Sequence, residues 1–519
     1  MARFRTGPGG AVIDDRGGGA ILVAAADSAS VFRDRADYVC TGAQATGGDQ
    51  DTINTALGVG DCVMLAPGTY WVDDAIELGD NQSLIGYGSS SVIKIMDADN
   101  ANLKMITNSD AVGGNSRILV QGLKLDGNKA AQAGGTQYGI YFETVGSGSG
   151  ATAIPGAKID GCLAENFRYI GIYLNTCLNC SVLGNTSQLN SGWGIYLLSS
   201  SNNTICGNMC QGNTLDGIKL EATVNTTIDG NSFEGNLRSG IVLAPGSDYN
   251  IITNNVCNTN TWYGIRVDTT DYNSVTGNIC YKNDYHGIYV DSSHHNSLCI
   301  NTLTDNSQDT TNTYDDIYLS GADYNNVQGN TCRAGVEANK PRYGINISNA
   351  TCNENLVVNN DLYDDGFATG CINDAGTLTH VESNRGLTAV EEKVFETATN
   401  TSGGDLVAGD VVVLKAVAAG NEIDTTVAAG NQMVWGMLAE NIADAAKGLI
   451  QTRGKTTALK VNGTVAIAIG DLISTHTDAG IGMKAAAGTM AFAVALEVYA
   501  VANSGGVIDA LLVVPRQAI

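Results

Sequence analysis

Gly171-Ile172-Tyr173, Gly194-Ile195-Tyr196, Gly217-Ile218-Lys219, Gly240-Ile241-Val242, Gly264-Ile265-Arg266 and Gly287-Ile288-Tyr289 repeat one triplet at spacings of 23, 23, 23, 24 and 23 residues. Further copies stand at Gly139-Ile140-Tyr141 and Gly344-Ile345-Asn346, with Asp316-Ile317-Tyr318 as a variant. A second motif keeps the same phase and reads Asn, any residue, an aliphatic, any residue, Gly or Asn, Asn. It occurs at Asn203 to Asn208, Asn250 to Asn255, Asn273 to Asn278, Asn325 to Asn330 and Asn355 to Asn360. Two residues beyond its last Asn comes a slot holding Cys210, Phe233, Cys257, Cys280, Leu303, Cys332 and Leu362.

Self-similarity at such a fixed period defines a solenoid. Within each period, short alternating stretches place aliphatics inward, and Asn and Gly between them accept left-handed or bulged backbone. The pattern therefore predicts an all-β fold: a right-handed parallel β-helix, a three-faced solenoid of about 23-residue coils stacked ~4.8 Å apart. Asn at one position of successive coils is expected to form an amide ladder along the axis. A leucine-rich or helical repeat is the rival for this period. The sequence has neither Leu-x-x-Leu spacing nor a 3.6-residue apolar stripe, which removes it.

Composition agrees. The chain has 519 residues, 16% charged, with 64 Gly and 6 Pro, which suits a turn-rich β protein. Its formal net charge of -25 carries no basic block, so phosphate backbones and anionic lipids are repelled and neither nucleic acid nor membrane is an expected partner. The first residues lack an apolar h-region and no run is long enough to span a bilayer, which sets the expectation of folding in a cytoplasm. The thirteen cysteines are odd in number and all precede position 372, and most recur at a repeat position, as packing residues would.

At the front, residues 49–57 read as a capped amphipathic helix. Asp61 to Tyr70 (with Pro67-Gly68-Thr69-Tyr70), Leu84 to Gly88 and Val92 to Ile95 follow. This order of helix, strand, turn and Gly-x-Gly strand resembles the start of pectate-lyase-like β-helices, a family that includes polysaccharide lyases, glycosidases and phage tailspikes. The resemblance spans roughly residues 37–375 and implies a helix closing the open end of the core. After about residue 388 Cys disappears and Ala, Gly and Val dominate, with strand-like stretches at Asp410 to Leu414, Thr464 to Ile469 and Ala491 to Leu496. With Val434 to Glu440, Lys460 to Gly463 and Ile469 to Leu472, this region resembles a small β-domain of phage capsid decoration or fibre proteins. The expected domains are an N-terminal arm (1–36), the β-helix (37–387) and a small β-rich oligomerisation or docking domain (388–519).

Strand alternation places two rows outward on the Gly-Ile-x face. One is Tyr173, Tyr196, Lys219, Val242, Arg266, Tyr289 and Tyr318; the other is Asn175, Leu198, Glu221, Ala244, Asp268, Asp291 and Ser320. Aromatics beside carboxylates suit sugars, whose C–H faces stack on rings while hydroxyls seek charged acceptors. Tyr173, Tyr196, Tyr289 and Tyr318 are thus candidate glycan contacts. Glu221, Asp268 and Asp291 are candidate catalytic carboxylates, since neighbouring coils bring Asp268 and Asp291 near the ~5 Å of a retaining glycosidase. The competing reading is a solvated polar face. His294-His295 take the places of Asp248-Tyr249, Asp271-Tyr272 and Asp323-Tyr324 and read as a turn variant, and the Asp row as a solvated turn, so no metal is expected. Cys177 and Cys180 read as packing, not redox chemistry, and no cofactor motif is present.

The leading expectation is a virion surface protein of a tailed phage, assembled in the host cytoplasm: a capsid decoration, head fibre or spike that displays a β-helix and binds host glycans. The resemblance implies a homotrimer, with phage capsid or tail proteins as partners. The alternatives are a polysaccharide lyase or glycoside hydrolase (a tailspike depolymerase) and a bacterial surface adhesin. If the cysteines are stacked core residues, the native protein should react slowly with a thiol reagent and unfolding should release close to thirteen thiols. Several native disulfides would sink the cytoplasmic-assembly reading.

Overall fold

The computed structural model describes residues 19–43, 47–148, 150–363 and 366–386, with shorter segments before 19 and after 393. Contacts divide the chain into two compact units. The first holds residues 1–325, 330–346 and 365–370. It is a parallel β-helix in which each coil contributes three short strands, as in Ile241–Leu243, Ile251–Thr253 and Val256–Asn258. The Gly-Ile-x strands pair in parallel and in register: Tyr173 lies beside Tyr196, then Lys219, Val242, Arg266, Tyr289 and Tyr318. The outward row read from the sequence is the row the backbone forms.

The triplet glycine answers to close approach between coils. A Cβ on Gly194, Gly217, Gly240 or Gly264 would lie 2.6–2.7 Å from the carbonyl oxygen of the next coil's glycine. Inside, Ile172, Ile195, Ile218, Ile241, Ile265 and Ile288 are fully buried, as are Cys210, Phe233, Cys257, Cys280 and Leu303 in the predicted slot. No coil could bury this surface alone, so the stack supplies one continuous core.

The amide ladders are present. Asn185, Asn208, Asn231, Asn255, Asn278, Asn301 and Asn330 form a chain in which each Nδ2–H donates to the next Oδ1 at 2.9–3.1 Å. A second chain runs Asn190, Asn213, Asn236, Asn260, Asn283 and Asn306, each link 3.0 Å. It ends where Asn306 donates to Oδ1 of Asp316 at 2.8 Å. Asp316 occupies the triplet's glycine position in a coil lengthened to 29 residues, and it is completely buried with Oδ2 unbonded.

Two expectations at the front change. The helix Gln50–Leu57 forms, but Asp49 does not cap it; its carboxylate instead accepts the backbone N–H of Gly42 (3.0 Å) and Trp71 (2.9 Å). The stack also begins before residue 37, because Gly19–Ala24 pairs in parallel with Cys62–Leu65. That strand lacks the repeat triplet, so periodicity could not find it.

The second unit holds residues 326–329, 347–364 and 371–519. In it Asn326–Gln328, Leu356–Val358 and His380–Glu382 stack in parallel. A largely antiparallel sheet, nine-stranded among the described residues, runs from Val394–Asn400 to Gly506–Gln517. Its strands include the expected Val411–Leu414 and Met490–Ala495, while Thr464 to Ile469 lies outside the described residues. Val411, Met437, Leu459, Ile473 and Leu512 form a core with three alanines.

The ladders generate two predictions. Asn236 takes two hydrogen bonds from Asn213 and gives one each to the Cys210 carbonyl and Asn260. Asn236→Ala should therefore destabilise by about 3 kcal/mol or more in urea unfolding, because buried partners are left unpaired. Burial holds the Asp316 carboxyl well above its usual range, ahead of every other influence. The unfolded chain releases that proton near pH ~3.9 and the folded chain retains it, so wild-type stability falls as pH rises above that point. Asp316→Asn should thus gain stability over wild type at neutral pH, and the gain should shrink towards pH ~4. Equal differences at both pH values would mean the carboxyl is not held neutral.

Candidate functional site

Register brings three successive strands of the Gly-Ile-x sheet together at a step in side-chain size. The coil carrying Ser239, Val242 and Ala244 presents small residues at all three outward positions, and each is buried. The preceding coil presents Asp216, Lys219 and Glu221, and the following coil Tyr263, Arg266 and Asp268. One low coil between two tall ones leaves a groove of ≈ 190 Å³, with Trp193 and Trp262 among its lining residues. It runs along the strand, across the solenoid axis.

Each wall is an ion pair within one strand, at positions i and i+2 on the same face. Lys219 Nζ is 2.6 Å from Glu221, whose carboxylate also accepts the hydroxyl of Tyr196 at 2.6 Å. Lys219 first, then Tyr196, holds the Glu221 carboxyl below its ordinary range. Across the groove, Arg266 lies 3.0 Å from Asp268 and 3.7 Å from Asp291. The three candidate carboxylates are thus on one face as expected, but Glu221 is paired with Lys219, and Asp268 and Asp291 share Arg266, so none stands as a bare acid. Lys219 and Arg266 were visible in the sequence row; their i, i+2 spacing to Glu221 and Asp268 was the signal for the pairing.

The tyrosine candidates divide. Tyr173 and Tyr196 point outward, yet they are only 8% and 9% exposed. Their rings stack at 4.9 Å, with Tyr141 edge-on against Tyr173 and Trp193 packed at a tilt on Tyr196. Their faces are covered by one another and do not offer open glycan platforms. Burial first, then the neighbouring Glu221, pushes the Tyr196 hydroxyl up, so it stays a donor. Tyr289 and Tyr318 are half-buried beside His286, which stacks on Tyr318 at 4.4 Å and on Tyr263 at 5.9 Å. Burial lowers the His286 pKa to about 3, so the ring is neutral and its 3.8 Å approach to Asp315 is not an ion pair. Its Nδ1 instead accepts the Asp315 N–H at 2.8 Å.

The turn reading of His294-His295 holds. Tyr249, Tyr272, His295 and Tyr324 share one left-handed turn position, with φ of 56–58°, and their rings stack at 4.9–5.1 Å. Asp248 and Asp271 accept backbone N–H groups of the following coil, at Asp271 (2.8 Å) and His294 (2.7 Å). Sequence reasoning missed the groove itself and its indole walls, because Trp193 and Trp262 lie just outside the triplet. The signal was the simultaneous drop in size at Ser239, Val242 and Ala244.

The parallel stack defines a β-helix, and a groove opens on one of its faces. Within that class the chain belongs to the family described as periplasmic copper-binding protein (NosD), whose model matches residues 80–262 and 247–385. Among solved structures, the A-modules of two Azotobacter vinelandii mannuronan C-5 epimerases, AlgE6 and AlgE4, are similar in fold. Each is 19% identical; the matches cover 66% and 65% of this chain and 96% of each module, with TM-scores of 0.58 and 0.57. Tailspike protein 2 from Escherichia coli O157:H7 bacteriophage CAB120 matches 90% of this chain and 61% of its own at 16% identity, with a TM-score of 0.47. No curated protein matches the chain in sequence.

The copper of the family's description finds no matching donor set among the described residues. Among the described residues, no group of three or more His, Cys, Asp or Glu side chains is placed to hold a metal ion. The core thiols Cys210, Cys257 and Cys280 are fully buried, and burial pushes those of Cys210 and Cys257 well up. Such groups stay as S–H, whereas a soft metal ion binds thiolate.

Proposed function

We propose that this chain is a glycan-binding β-helix protein displayed on the surface of a tailed-phage particle, as a homotrimer attached to capsid or tail proteins. The groove over Val242 supports glycan binding best. It sets two indoles beside a floor of small side chains and rims them with paired charges, so that a sugar meets aromatic and aliphatic surface for its C–H groups and both donors and acceptors for its hydroxyls. Its in-strand ion pairs favour recognition, because a carboxylate neutralised by a neighbouring cation is a fixed hydrogen-bond acceptor rather than a proton donor. On this reading residues 388–519 mediate self-association or docking and the β-helix is the displayed body.

A second reading, a polysaccharide depolymerase, is favoured by one observation: Asp268 and Asp291 are register partners on adjacent strands. The two readings separate in one experiment with purified host surface polysaccharide. Binding without a fall in polymer length supports recognition, and Trp262→Ala should then weaken it about thirtyfold, the ~2 kcal/mol of an aromatic contact. Cleavage that drops by orders of magnitude in Asp268→Asn or Asp291→Asn, with the fold intact, would establish the enzyme instead. Antibody labelling of purified particles that leaves heads and tails bare would remove the virion assignment.

A further inference from the structure

We infer that the groove selects an anionic saccharide, one bearing a carboxylate or a sulfate, and that Arg238 reads that group. This deepens the glycan reading above and rests on it. Three cations border the groove, and they are not equivalent. Lys219 and Arg266 are each committed to a carboxylate of their own strand. Arg238 lies over the indole of Trp262, its guanidinium carbon 4.6 Å from the ring centroid, and its side chain makes no hydrogen bond or ion pair among the described residues.

Asp216 and Arg238 attract one another electrostatically, yet neither oxygen of Asp216 is hydrogen-bonded to the guanidinium. One oxygen accepts the indole N–H of Trp193 at 2.9 Å and the other accepts the backbone N–H of Ser239 at 2.9 Å. Arg238 is thus a half-buried guanidinium over an indole, with its planar fork hydrogen-bonded to none of the described residues. That form is matched to a carboxylate or sulfate, which a guanidinium engages through two parallel hydrogen bonds. Ser239, next in sequence, is also among the lining residues, with its hydroxyl buried and unbonded. In a chain of net charge -25, a groove-lining guanidinium with no hydrogen bond or ion pair of its own is the place where an anion is accepted.

The test is calorimetric titration of the full chain with three size-matched probes: a β-1,4-linked glucuronic acid oligomer, its carboxyl-reduced neutral counterpart, and that neutral oligomer sulfated. Wild type should bind one or both anionic probes about tenfold more tightly than the neutral one, the scale of a charge-assisted hydrogen bond. The preferred probe tells carboxylate from sulfate. Arg238→Gln should bring anionic and neutral affinities together, and Arg238→Lys should leave an intermediate difference, because the charge survives without the fork. Added salt should narrow the wild-type difference. Val242→Tyr, which fills the groove with a side chain already present in the same row, should abolish binding of all three, with thermal melting as the check on folding.

Equal wild-type affinity for anionic and neutral probes overturns the anion inference and leaves glycan binding standing. An anionic preference that survives Arg238→Gln overturns the role of Arg238. Binding unaffected by Val242→Tyr, or no binding of any probe, overturns the groove as a glycan site and the inference with it.

Discussion

Hydrogen bonding between successive coils sets the phase on which everything else in the β-helix depends. Backbone ladders fix the spacing of the strands, but they repeat along the strand and so tolerate slippage; a shift by one residue would turn every inward side chain outward. The buried asparagines remove that freedom. Each occupies one defined position, accepts from the amide of the coil before and donates to the coil after, as Asn208 does between Asn185 and Asn231. Slippage would break several such bonds at once in a dry interior, where an unpaired amide is costly. The aligned outward rows, and hence the groove, follow from that enforced register.

The same constraint explains why the fold was so legible in the sequence. Glycine at the triplet is dictated by a carbonyl of the next coil, and asparagine at the ladder by the amides above and below, so both recur with the period. What escaped was whatever does not recur. Gly19–Ala24 joins the stack with no triplet to mark it. The lengthened coil ending at Asp316 substitutes an acid where the pattern asks for glycine, and that acid receives the terminal amide of the second ladder.

The site was legible only in part, for a related reason. Alternation along a strand tells which residues face outward, and it placed Glu221, Asp268, Asp291 and the four tyrosines on one face. It does not tell how neighbours one coil away use that face. With strands at a spacing close to that of stacked aromatic rings, a column of tyrosines satisfies itself: Tyr173 and Tyr196 cover each other's faces. Exposed area on such a surface appears where a column is interrupted, and the interruption lies at Ser239, Val242 and Ala244. The informative feature of the outward rows was therefore their smallest members, although aromatics and carboxylates attract attention first.

Charge follows the same logic. On a face this acidic, a carboxylate row along the axis would repel itself at every coil. Lys219 and Arg266 relieve that repulsion within their own strands, and Arg266 reaches the adjacent coil as well. Once paired, these groups form a rigid rim whose charges are largely cancelled, so they shape the groove more than they polarise it. What remains electrically distinctive is the cation outside these pairs. Arg238 lies over Trp262 at the groove's edge, so its charge sits on an indole; Asp216 of the preceding coil attracts it without a hydrogen bond. Shape on this face thus comes from the paired residues and selectivity from the stacked one, and the two can be altered independently.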